Sequence, residues 1–153
     1  MQGKKRDKMG IVIVSTIGCG KRYLKNIVRD KIKTEDFNVD EGMTVDDVIE
    51  LIDENDVTFV PYSKDNINFL EENSIDYDLF YPSKSRRIEF LTNAVGKRMK
   101  AKDVSDLDKS FDSTVDEIES LELEHGYLHK LDNQGEFLGN YPQLIGYISN
   151  IKS

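Results

Sequence analysis

The residues best suited to chemistry form one run, Ser15-Thr16-Ile17-Gly18-Cys19-Gly20-Lys21-Arg22. Glycines let backbone amides curl around phosphate oxygens, a helix N-terminus adds partial positive charge, and a lysine reaches the terminal phosphates. Gly18, Gly20 and Lys21 supply all three, which makes positions 15–22 the candidate site for ATP or GTP. The pattern G-x-x-x-x-G-K-[ST] would put glycine at position 15 and a hydroxyl at position 22, where this chain has Ser15 and Arg22. That hydroxyl ligates Mg²⁺, and a guanidinium has no lone pair with which to do so. Arg22 can instead set a fixed positive charge beside the phosphates, replacing part of the ion. The plainer alternative is a glycine-rich turn that binds nothing. Cys19 has two readings as well, an oxidisable thiol or a small side chain filling the turn.

The flanking elements have the order such a loop requires. Gly10-Ile11-Val12-Ile13-Val14 is short, apolar and β-branched, as a buried strand should be, and positions 21–28 have helical periodicity. Further along, Phe37–Asp40 reads as a short strand. Thr44 and Asp47 form a capping-box variant for a helix that turns Val45, Val48, Ile49, Leu51 and Ile52 inward and ends near Asn55. Strands are expected at 57–60, 78–81 and 127–131. Helices are expected at 64–73, from 82 onward with Ile88, Phe90, Leu91 and Val95 apolar, at 107–121 and at 141–151, and 96–105 reads as charged and mobile. Five strands alternating with helices imply βαβ units and a mainly parallel sheet covered on both faces. Ligands of such a sheet gather at the carboxyl ends of its strands. The loop, Asp40, Pro61-Tyr62-Ser63 and Pro82-Ser83-Lys84 all fall on that edge.

Composition narrows the class of partner. At 153 residues the chain suits one domain at 10–153 after a flexible basic tail at 1–9. A net charge of −8 argues against a broad nucleic-acid surface, because phosphate backbones are held by clustered cations. A small anion in a local positive pocket remains compatible with it. No apolar run approaches a membrane span and the first residues lack a signal-peptide core, so a cytoplasmic protein with no membrane partner is expected. The single cysteine excludes an intrachain disulfide.

The order of elements resembles a small P-loop kinase of the nucleoside- and nucleotide-monophosphate kinase type, in the compact form found in phage genomes. The likeness rests on Ser15–Lys21 after the first strand, on 73–83 through the fourth, on the cationic segment 86–102, and on 127–131 with its terminal helix. Locally, the string 15–21 is also similar to the P-loop of the kinase module in fungal tRNA ligases. The resemblance implies a three-layer sheet of order 2-3-1-4-5, with Lys21 on the β- and γ-phosphates. It implies a lid at about 96–105 hinged at Gly96, with Arg98 catalytic and Lys97 binding nucleotide. It places Asp40 where a carboxylate meets the acceptor hydroxyl of a nucleoside, a nucleotide or a polynucleotide end. The chain departs from the pattern at Arg22 and at Val60-Pro61-Tyr62, where an acid would help hold Mg²⁺. A pseudoenzyme that keeps the fold for nucleotide or protein contacts is therefore the rival reading.

Simpler readings stand beside each residue. Asp40 can be the acid of a turn. The cations of 86–102 can be a solvated face, and Asp112, Asp116, Glu117 and Glu119 the wet side of a helix. His125 and His129 lie four apart, but a strand begins between them, so they do not share a helical face and no metal site is assigned.

Overall fold

The computed structural model describes residues 10–38, 42–95 and 100–152. Among them the strands are β1 Ile11–Ser15, β2 Thr34–Asp36, β3 Val57–Pro61, β4 Tyr77–Pro82 and β5 Gly126–Leu131. The helices are α1 Lys21–Val28, α2 Val45–Glu54, α3 Lys64–Glu72, α4 Arg87–Val95, α5 Ala101–Glu119 and α6 Pro142–Lys152, with 3₁₀ turns at Lys84–Arg86 and Leu138–Asn140. The tail at 1–9, Asp40, Lys97 and Arg98 lie outside the described residues.

All five strands are parallel, in the order β2-β3-β1-β4-β5. Strands buried on both faces must be apolar nearly throughout, and β1, β3 and β4 are. Ile13, Val14, Val57 and Leu79 are completely buried at the centre. Register sets the two faces: Ile13 lies beside Phe59 and Ser15 beside Phe80. On that side α1 puts Lys25 over the Phe59 ring, and Leu144 and Tyr147 of α6 share a cleft with Phe80 and His129. On the other side Tyr77 donates to Glu71 of α3 and Tyr81 to Glu119 of α5. The chain therefore leaves β1 toward one face and β4 toward the other. Such a divergence opens a crevice at the carboxyl end of β1.

Local chemistry explains where the helices begin. Thr44 Oγ1 accepts from the Asp47 amide and the Thr44 amide donates to the Asp47 carboxylate, a complete capping box, while Ser63 caps α3 by accepting from the Asn66 amide. Two boundaries differ from the sequence expectation. The second strand is Thr34–Asp36; of the strand expected at 37–40, Phe37 and Asn38 follow it without strand structure and 39–40 lie outside the described residues, while Phe37 donates its amide to the Phe59 carbonyl and buries its ring against Phe69. Residues 101–105 are the opening turns of α5 rather than part of a mobile stretch, and 96–99 lie outside the described residues. Ile49, expected to face inward, is 37% exposed; in α4 the apolar Ile88 and Val95 are 67% and 57% exposed, so Phe90 anchors that helix.

Candidate functional site

Ser15 ends the central strand and the loop turns over Thr16–Gly20 into α1. Gly18 and Gly20 have φ of 90° and 92°, a left-handed backbone that side chains rarely adopt. Gly20 is the N-cap of α1 and no side chain caps it; the first turn holds no acid. The positive end of the helix dipole is left open there. Two loop carbonyls are tied down. The Gly18 carbonyl accepts from Asn93 Nδ2 at 2.9 Å, and the Cys19 carbonyl from the Leu138 amide at 2.8 Å. Among the described residues the amides of Gly18, Gly20, Lys21 and Arg22 donate to no backbone carbonyl. The loop surrounds a pocket of about 240 Å³ that Lys21, Arg22, Val60 and Pro61 also line.

Cys19 is 1% exposed, with Sγ 3.3 Å from Thr16 Oγ1 and in contact with the Phe80 carbonyl, so it packs the turn onto β4. Ile17 is 59% exposed and Arg22 is exposed, both at the pocket. Lys21 points toward β2, where its Nζ lies 3.6 Å from Asp36 Oδ1; Lys25 holds the other oxygen at 2.9 Å. Asp36 thus places a carboxylate at the carboxyl end of β2, beside the loop. Sequence reasoning missed it because the strand was drawn three residues late.

Behind the loop stands a scaffold that no local pattern announces. A Cβ on Gly18 would meet Phe90 at 3.2 Å, and one on Gly20 would meet Phe137 at 3.1 Å. The Arg86 guanidinium lies 4.8 Å from each of those two rings and is 4% exposed. It donates to Glu89 at 2.8 Å, to the Leu131 carbonyl at 3.1 Å and to the Glu136 carbonyl at 2.5 Å. Arg86 therefore belongs to the core, not to a solvated face. Hydrogen bonding to Arg86 holds the Glu89 carboxyl below its ordinary value, against the opposing effect of burial and with help from the Gly135 amide.

Several cations of 84–102 pair with carboxylates of α5: Arg87 with Asp108, Lys84 with Asp116 and Lys102 with Asp106. Glu117 and Glu119, expected on the wet side, accept from Tyr62 and Tyr81. Burial first, and then these glutamates, push both phenols up.

A metal fits the site poorly. Arg22 stands where the motif has its hydroxyl, Pro61 and Tyr62 where an acid would follow β3, and the described residues hold no group of three potential ligands. His125 and His129 pair separately, with Asp76 at 3.2 Å and Asp78 at 2.8 Å.

No protein-family model matches this chain, and no curated protein sequence does. Fold and geometry define its class: an α/β protein with a five-stranded, all-parallel sheet and a glycine turn at the carboxyl end of the central strand. Among the described residues no helix is long and apolar enough to cross a membrane.

Proposed function

We propose that this chain is a P-loop kinase-like protein that binds the phosphates of ATP or GTP at Thr16–Arg22 and transfers a phosphoryl group to a hydroxyl of a second ligand. What supports this is the turn itself: left-handed glycines opening an uncapped helix at the end of the central strand, lining a pocket, with two loop carbonyls held by Asn93 and Leu138 and, among the described residues, four loop amides that donate to no backbone carbonyl. An anion there meets both the amides and the helix dipole. Lys21 and Arg22 add charge at the pocket, and Asp36 is the carboxylate that would receive the acceptor's proton. No step is assigned to Mg²⁺, because the residues at its usual positions do not fit it.

A second reading is favoured by the Lys21–Asp36 pair, which sets the lysine's ammonium against a carboxylate. On it the protein binds nucleotide, or a protein partner, without transferring phosphate. Thermal unfolding with ATP or GTP separates binding from its absence: the parent is stabilised and Lys21→Ala much less so. Nucleotide hydrolysis or transfer by the parent, lost in Asp36→Asn, then separates a transferase from a binding module. No change in the parent's melting at saturating ATP or GTP overturns both nucleotide readings.

A further inference from the structure

A second cleft, of about 360 Å³, abuts the glycine loop and shares with its pocket the wall formed by Ser15, Thr16, Ile17 and Pro61. The far wall is one face of α5, where positions 107, 110, 111, 114 and 115 recur at helical spacing and point together. Phe111 is 4% exposed and brings an aromatic ring, and Tyr62 brings another at the end of β3. Ser15, Thr16, Ser110 and Thr114 bring hydroxyls. Ser110 donates to the Asp106 carbonyl at 2.9 Å, which leaves its oxygen to accept. None of the described residues lining the cleft carries a charge.

That lining selects among ligands. A phosphate monoester entering the cleft would lose water and meet no cation among the described lining residues, and burying a charge without a partner is costly. An uncharged molecule with a flat apolar ring and several hydroxyls meets matching surface on every side. The volume lies at the low end of small-molecule sites, about 300–1,000 Å³, which suits a base joined to one sugar.

We propose that the cleft between α5 and the glycine loop binds an uncharged nucleoside, not a nucleoside monophosphate, as the second ligand. This rests on the neighbouring loop being a phosphate site only in what the nucleoside is for; its binding is independent.

The test is equilibrium binding of adenosine, guanosine, cytidine and thymidine, and of their 5′-monophosphates, to the full chain by calorimetry. Parent, Thr114→Phe, Thr114→Val and Lys21→Ala are compared, with ATP- and GTP-dependent melting measured in parallel. At least one nucleoside should bind the parent tenfold or more tightly than its monophosphate. Thr114→Phe fills the cleft and should abolish that binding; Thr114→Val keeps the volume and should weaken it by about 2- to 12-fold, the cost of one hydrogen bond. If the Phe variant fails to fold, the Val variant decides. Lys21→Ala should bind nucleoside like the parent. Monophosphates preferred over nucleosides, no nucleoside bound, or nucleoside binding unchanged in both Thr114 variants would overturn the proposal. Nucleoside binding with no triphosphate effect on melting leaves the cleft assigned and sinks the phosphate-loop reading alone.

Discussion

Two groups compete for the ammonium of Lys21: the loop that would use it on phosphate, and Asp36, whose carboxylate lies 3.6 Å away. Both side chains are nearly half exposed, so solvent screens the pair and it contributes about 0.2–1 kcal/mol. Asp36→Asn releases the lysine and removes a negative charge from beside the phosphates. Triphosphate affinity should therefore rise by about 1.4- to 5-fold in calorimetry, while any phosphoryl transfer collapses. A fall in affinity would show that Asp36 positions Lys21 for the ligand instead of withholding it. Gly20 presents the opposite situation, a residue whose lack of a side chain is its contribution. Gly20→Ala forces a Cβ into a left-handed backbone at φ 92°, 3.1 Å from Phe137 Cβ, and should cost about 1–2 kcal/mol in chemical denaturation. A side chain at Gly42, with φ 73° and open space around it, would suffer the same backbone strain at a residue that does not line the pocket. Gly42→Ala should lose comparable stability and keep the ATP effect on melting, whereas Gly20→Ala loses both. The loop was legible in the sequence because glycine spacing is local. Asp36 was not, because β2 is a short edge strand with exposed side chains, and Phe37 and Val39 offered a more apolar pattern just beyond it.

The elements that shape the loop are joined through Arg86. Its guanidinium links the start of α4 to the segment following β5, whose Leu138 amide holds the Cys19 carbonyl. Nothing near position 86 in the sequence signals this, since the partners lie up to 50 residues away, and the run of cations around it reads as solvated surface. A mainly parallel sheet, by contrast, follows from alternating apolar runs, and right-handed crossovers leave few arrangements; the order itself is implied only by the resemblance to P-loop kinases, and the sheet has it. Arg86→Met removes three donated bonds and leaves two carbonyls and Glu89 without them. The cost should be about 2–4 kcal/mol in urea, somewhat below the about 3–5 kcal/mol of a fully buried pair because Glu89 is 29% exposed. Arg86→Lys should recover little, as an ammonium cannot reach Glu89 and both carbonyls in the same plane. Faster amide exchange should appear at 131–140 and at Gly18–Lys21 together; exchange confined to the first segment would uncouple Arg86 from the loop. Acid probes the same joint. The Glu89 carboxyl titrates lower in the folded chain than its usual 4.5, so the unfolded chain binds more protons in that window. Its contribution is complete above about pH 4.5 and is lost as pH falls through the lowered folded value. Stability plotted against pH should fall less steeply there in Glu89→Gln than in the parent.

Over the whole molecule, a net charge of −8 opposes a triphosphate at long range, and the cations near the loop must outweigh it locally. Two described cations elsewhere around this edge, Arg87 and Lys84, pair with Asp108 and Asp116 of α5. Arg22 is exposed at the pocket and, on the proposed reading, would substitute for part of a metal's charge. This predicts how the folded state responds to ligand as a unit. A ligand at about 100 times its Kd adds about 2.7 kcal/mol to folding, and at about 2–4 °C per kcal/mol for a chain of this size Tm should rise by about 5–11 °C. In the parent that rise should be nearly the same with Mg²⁺ and with a chelator. Arg22→Thr restores the hydroxyl of the motif and removes the fixed charge, so its shift should shrink in chelator and return when Mg²⁺ is added. A parent that needs Mg²⁺ for its shift would mean that the ion binds through the nucleotide alone and that Arg22 replaces nothing. A shift that survives Arg22→Thr unchanged in chelator would assign the stabilisation to Lys21 and the loop amides, leaving the acidic fold no specific debt to the guanidinium.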